Sequence, residues 1–142
     1  LEGAKLGEEL GAKEGRRVAG PSIYRRIEIA VEEALRATSF EDALRRIEAT
    51  VGSSVYLVES GPAAIGIFVA AKGDPVECAV GGTNIGNDTD STAAMACPLG
   101  GALMGIKAID KKYVKVLSEA NTEDIPGMSN ALADIAWKRY NA

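Results

Sequence analysis

One segment of the sequence gathers oxygen-bearing side chains on a glycine-rich backbone: Gly81-Gly82-Thr83-Asn84-Ile85-Gly86-Asn87-Asp88-Thr89-Asp90-Ser91-Thr92. It lies between two apolar stretches, and loops held by buried elements are where rigid scaffolds present functional groups. Asp88 and Asp90 are two apart, and in an extended stretch such a pair projects to one side. Carboxylates that converge in this way repel each other unless a proton or a cation relieves them. Hard divalent cations such as Mg²⁺, Mn²⁺ and Ca²⁺ take oxygen ligands of this kind. Ser91 adds a hydroxyl at the expected start of the next helix. Gly81, Gly82 and Gly86 are expected to let the backbone turn tightly and leave room for a ligand. The same residues also read as an Asx-rich turn before a capped helix, and spacing alone leaves both readings open. An EF-hand is excluded, because the sixth position from Asp88 is Ala93 and the twelfth is Leu99. A phosphate loop fails too, since no Gly-Lys-Ser/Thr follows.

The rest of the composition narrows the chemistry. The 142 residues include no histidine, which removes Ser-His-Asp and Cys-His catalysis and His-ligated zinc. The two cysteines, Cys78 and Cys97, are too few for a zinc-thiolate site and do not resemble a secreted disulfide framework. They sit among apolar residues and read as core in a reducing compartment. Net charge is −4, which argues against general nucleic-acid or anionic-membrane binding. The longest apolar run, Ala93 to Ile106, is too short to span a bilayer, and no signal peptide is visible. Carboxylates, hydroxyls, amides and an oxygen-ligated metal remain. Glu59 is a weaker local candidate for a general base, and it reads more readily as a first-turn carboxylate before a buried helix.

The elements that must position these groups are helical. Gly3, Gly7, Gly11 and Gly15 form a four-residue repeat, one bare stripe expected to let another helix approach closely. Gly20-Pro21-Ser22 opens a helix whose Ile23, Ile27, Ala30, Val31, Ala34 and Leu35 share a face. Arg25, Arg26, Glu28, Glu32, Glu33 and Arg36 read as its solvated face. Ser39 with Asp42 resembles a capping box, and Gly52 ends that helix. Val55 to Val58 reads as a loop or the start of the next helix. Pro62 is expected in a first turn, with Ala63 to Ala71 apolar all round and therefore buried. Gly73 stops it, Asp74 caps the next helix and Pro75 starts it. Ser91 to Ile106 is expected to be a second central helix, kinked at Pro98, with Gly101 and Gly105 giving close packing. Asp110 caps a helix carrying Tyr113 and Leu117, and a last helix follows Pro126, anchored by Trp137.

Several blocks together closely resemble the C-terminal half of the ADP-ribosylglycohydrolases. They are Val58-Glu59-Ser60-Gly61-Pro62-Ala63-Ala64, Gly73-Asp74-Pro75, Asn84-Ile85-Gly86-Asn87-Asp88-Thr89-Asp90-Ser91, Ala93-Ala94-Met95-Ala96, and Gly100-Gly101-Ala102 with Gly105. Gly11, Gly15 and Gly20, with Arg26 before an amphipathic helix, are similar to the family's middle region. The resemblance covers most of the chain. It implies an all-α fold, a compact orthogonal helical bundle of which residues 1–142 are a C-terminal portion of a single domain. It also implies hydrolysis of the bond between ADP-ribose and a protein side chain or small acceptor, with two Mg²⁺ (or Mn²⁺) ions. Asp88, Asp90 and the Ser91 hydroxyl would be metal ligands, with Gly86 and Asn87 beside the substrate. The commoner pattern has Gly where Asn87 stands and Thr where Ser91 stands.

The family's upstream motifs, an early Gly-Asp and a Thr/Glu-Asp-Asp cluster, are not in this sequence, which also begins at Leu1 without Met. The expectation is a chain carrying half of a dinuclear site, in a cytoplasmic protein, with the missing N-terminal half as its partner. It should expose apolar surface and self-associate as a homo-oligomer. Two other functions stay open: a catalytically idle binding member of the family, or a hydrolase of another ribosyl or nucleoside substrate.

Overall fold

The computed structural model describes residues 1–15 and 19–142. Those residues form helices and contain no strand, which bears out the all-α expectation. They make two compact units, Leu1–Ala108 and Ile109–Ala142. The first holds α1 (Glu2–Glu14), α2 (Ile23–Arg36), α3 (Phe40–Thr50), α4 (Leu57–Ala70), α5 (Pro75–Asn84), α6 (Thr89–Met104) and a 3₁₀ turn at Ile106–Ala108. The second holds α7 (Lys111–Ala120) and α8 (Ile125–Tyr140). No helix among the described residues is long and apolar enough to cross a membrane.

The caps follow from local chemistry. Ser22 Oγ accepts the Arg25 N–H at 3.0 Å, so Pro21 stays just outside α2. Ser39 Oγ accepts the Asp42 N–H at 3.1 Å, but the Asp42 carboxylate accepts from the Thr38 N–H at 3.0 Å. The box therefore closes one residue earlier than its usual form. That bond comes first among the reasons why Asp42 is held below the ordinary carboxylate range. Gly52, at φ +83, ends α3 in the left-handed conformation with its N–H on Glu48 C=O at 2.9 Å. Asp74 accepts from Val76 and Glu77 N–H at 2.8 and 2.9 Å, and Asp110 accepts from Lys112 N–H at 2.9 Å.

Helix α4 is the centre of the first unit. Ser60, Pro62, Ala63, Ala64, Gly66 and Ile67 are all buried along it, and α2, α3, α5 and α6 pack around it. Pro62 is not in a first turn: α4 begins at Leu57, and Pro62 lies inside it. A helix tolerates this where the lost N–H bond to the carbonyl of Val58 is offset by burial. Sequence reading also paired α4 with a second central helix, and the structure corrects this. Within this unit α6 buries only Thr92, Ala96 and Gly100, and it lies against α5.

Three further expectations change. Gly101 meets nothing within 4 Å inside the first unit, and Gly105 ends α6 at φ 71 and ψ 174, a conformation open essentially to glycine. Close packing belongs to Gly82 and Gly100 instead. A Cβ on Gly82 would lie 2.7 Å from the Ala93 N, and one on Gly100 would lie 2.9 Å from the Pro75 Cα. Among the described residues nothing lies within 4 Å of a Cβ built on Gly3, Gly7 or Gly11, so the expected close approach of a helix is not found there. Gly7 and Gly11 line a cleft of about 840 Å³ with Ala19 to Ile23 and Val58. The α2 charge face is only partly solvated: Glu33 pairs with Arg46 of α3 at 2.7 Å, and Arg26 turns inward to the Val51 carbonyl.

The antiparallel register that sets Gly82 on Ala93 and Pro75 on Gly100 also sets Cys78 opposite Cys97. Cys78 is fully buried in the core cluster and Cys97 packs against that cluster, as the sequence implied. Burial, with Cys97 close by, pushes the Cys78 thiol up to about 11, and burial raises Cys97 as well. The thiolate is the reactive form, so both thiols are expected to resist iodoacetamide at pH 8 in the folded chain and to react readily in urea. Rapid labelling of Cys78 without denaturant would contradict this packing.

In the second unit, Asp124 caps α8 through the Gly127 N–H at 3.0 Å, and the Trp137 and Tyr140 rings stack with centroids 6.3 Å apart.

Candidate functional site

Asp88, Asp90 and Ser91 are brought to one place, the start of α6, after a short connection from α5 that runs from Ile85 to Asp88. The expected extended pair does not form. Asp88 is the N-cap residue, at φ −84 and ψ 69, and Asp90 is already inside the first helical turn. The helix begins at Thr89, ahead of Ser91. Gly81 and Gly82 do not open the loop either. Both are buried in α5, where a Cβ on Gly81 would lie 2.7 Å from Ile67 and 2.8 Å from Phe40. The turn is made by Gly86 at φ +101 and Asn87 at φ +53. Asn is one of the few side-chain-bearing residues that takes this conformation readily.

The loop backbone is pinned from two sides. The Asp88 N–H donates to the Ser53 carbonyl at 3.0 Å, and the Ser53 hydroxyl donates to the Gly86 carbonyl at 3.1 Å. On the helix side, the Asp88 carbonyl accepts from the Thr92 N–H at 3.1 Å and the Thr92 hydroxyl at 2.8 Å. Ser53 and Thr92 are both fully buried. The Asp88 carboxylate, in contrast, makes no capping bond. Asp90 is exposed, two residues further on within the first turn of α6.

Glu59, in the first turn of α4, turns back onto the connection that precedes it. Its carboxylate accepts the Ser54 N–H at 3.3 Å and rests over Gly52, where a Cβ would come within 2.7 Å of Oε2. Hydrogen bonding from Ser54 is the main cause holding its carboxyl below the ordinary range, and the positive charge of Arg26 adds to it. As pH falls through that lowered value, Glu59 protonates and the hold on Ser54 weakens, so this contribution is present above the unfolded pKa and lost in acid. Sequence reading did not single out Ser53. The signal available was Gly52-Ser53-Ser54, a small polar run between two apolar helices.

The donor set fits a hard divalent cation in kind: two carboxylates and a hydroxyl, with the Asp88 carboxylate free of the helix cap. It falls short in number. Among the described residues, no group of three His, Cys, Asp or Glu side chains is placed to hold a metal ion.

The comparisons with known proteins bear on the whole chain. The sequence model of the family described as ADP-ribosylglycohydrolase matches residues 5–142. The chain is similar to "Uncharacterized protein YegU" of Escherichia coli (strain K12), with 36% identity over 118 residues. That match covers 83% of this chain and 35% of the relative, so the chain spans about a third of the relative's length. No solved structure matches the chain.

Proposed function

Since the chain belongs to the ADP-ribosylglycohydrolase family, we propose that it supplies one part of a metal-dependent site that removes ADP-ribose from a protein side chain or a small acceptor. The observation that carries this reading is the start of α6. Asp88, Asp90 and Ser91 gather there on a backbone held by buried Ser53 and Thr92, and the Asp88 carboxylate is spent on no helix cap.

In this reading Asp88, Asp90 and the Ser91 hydroxyl hold Mg²⁺ or Mn²⁺. Cations bound there supply the positive charge that orients ribose hydroxyls and offsets charge on the departing group. Gly86 and Asn87 present their backbone and the Asn87 amide beside the ribose. Glu59 is committed to Ser54, and its lowered pKa makes it a poor proton acceptor, so its role is structural and not that of the general base. Two buried or half-buried free thiols support a reducing, cytoplasmic location.

A second reading is a catalytically idle binding member of the family, which keeps the helical body and the turn before α6 without turnover. The test is an ADP-ribose release assay on the complete reading frame that contains this chain. The substrates are ADP-ribosyl-arginine, ADP-ribosyl-serine peptides and ADP-ribosylated small molecules, with Mg²⁺ present or chelated. Chelator-sensitive release is the expected result. Metal binding without turnover would establish the idle reading. Turnover confined to simple nucleosides would make the protein a different ribosyl hydrolase.

A further inference from the structure

Helices α5 and α6 touch backbone to backbone at two points of one antiparallel register. A Cβ on Gly82 would lie 2.7 Å from the Ala93 N, and one on Gly100 would lie 2.9 Å from the Pro75 Cα. Cys78 stands three residues from Pro75 and four from Gly82, and Cys97 stands three from Gly100 and four from Ala93. Residues three and four apart share a helix face, so the two cysteines hold facing positions between the two contact points. Backbone contact one turn away on either side leaves facing Cα atoms about as far apart as a disulfide spans, roughly 4.4–6.8 Å. Cys78 lies buried in the core cluster, and half-buried Cys97 packs against that cluster. Both thiols are free, and the sequence holds no other cysteine to compete for either.

We propose that Cys78 and Cys97 form an oxidation site, closed by a peroxide to an intrachain disulfide that staples α5 to α6. The site is independent of any cation at the start of α6. Half-buried Cys97 is the sulfur that a small peroxide reaches first. Its thiolate attacks one peroxide oxygen, the O–O bond breaks, hydroxide leaves and a sulfenic acid forms. The Cys78 thiolate then attacks the sulfenic sulfur; the S–S bond forms and the S–O bond breaks with loss of a second hydroxide. The two thiol protons turn both hydroxides into water. In sum, two thiols are oxidised to one disulfide and one peroxide is reduced to two waters. Burial keeps both groups mainly in the thiol form, so the first step is slow. The closed loop, residues 78–97, contains the turn from Ile85 to Asp88. Closing it restricts the unfolded chain more than the folded one, where the two positions already face each other.

The test exposes the 142-residue chain to millimolar hydrogen peroxide, then to catalase. Remaining thiols are alkylated in urea, and the chain is cut before aspartate, which separates the cysteines at Asp88 and Asp90. The expected product is a monomer in which peptides 74–87 and 90–109 are joined and neither cysteine is alkylated. Its melting temperature should lie about 10 °C above that of the reduced chain and return with dithiothreitol. Cys97→Ser should show neither the link nor the reversible shift. If that variant does not fold, the parent decides alone, because both readouts are made on it. Thiols still alkylated in urea, cysteines that end as sulfinic or sulfonic acids, or links formed only between two chains overturn the proposal. So does a linked monomer whose melting temperature does not rise, because the bond would then strain the helix register.

Discussion

Gly82→Ala is expected to destabilise the protein by about 3 kcal/mol, enough to prevent folding if the parent is marginal. The new Cβ would fall against the Ala93 Cα and lie 2.7 Å from both the Ala93 N and Cβ. Backbone cannot rotate away as a flexible side chain can, so α5 and α6 would have to separate. The helix-propensity gain of Ala over Gly, about 1 kcal/mol, is too small to offset this. Gly100→Ala should behave in the same direction, since its Cβ would meet the Pro75 Cα at 2.9 Å. Gly101→Ala is the control: nothing inside the first unit lies within 4 Å, so only the propensity gain remains. Urea unfolding of the three variants checks the ordering. If Gly82→Ala matched the parent, the close α5–α6 pairing would be wrong, and with it the placement of the connection from Ile85 to Asp88.

The glycines also show where sequence reading stops. A stop glycine has a local signature, so Gly52 and Gly73 were legible, as were the caps at Ser39, Asp74 and Asp110: each is decided within about four residues. Which glycine admits a neighbouring helix depends on the partner's register, and neighbouring Gly100 and Gly101 look alike in sequence. The start of α4 at Leu57 falls within Val55 to Val58, which sequence left open between a loop and a helix start, because Tyr56 offers no capping side chain to decide it. At the site, the local part was legible: Asp88, Asp90 and Ser91 do lie together at a helix start. The Ser53 contacts were not, because they join residues that sequence separates widely. The position of Asp90 was misjudged for a simpler reason. The Asp88 carbonyl accepts the first intrahelical bond, from the Thr92 N–H, so the helix begins at Thr89, two residues before the expected Ser91, and takes Asp90 into its first turn.

Asp90→Asn, made in the complete reading frame, is expected to lower kcat/KM for ADP-ribose release by about 10³ while leaving stability within about 0.5 kcal/mol of the parent. The second half of the expectation makes the first informative. Asp90 is exposed, and its charge favours the first turn of α6 only through the helix dipole, a fraction of a kcal/mol at a solvated site. Asn keeps its shape and an oxygen but withdraws the negative charge on which a hard cation depends. Removing several kcal/mol of charge stabilisation from the transition state corresponds to the stated loss of rate. Asp88→Asn should do the same, because Asn is as good an N-cap residue as Asp and the Asp88 carboxylate caps nothing here. The measurement is paired: initial rates at saturating Mg²⁺, and urea midpoints of the same preparations. A fall in rate matched by a fall in midpoint would make both aspartates structural. Unchanged rates in both variants would remove them from the metal site, and the oxygen cluster before α6 would then be a capped turn.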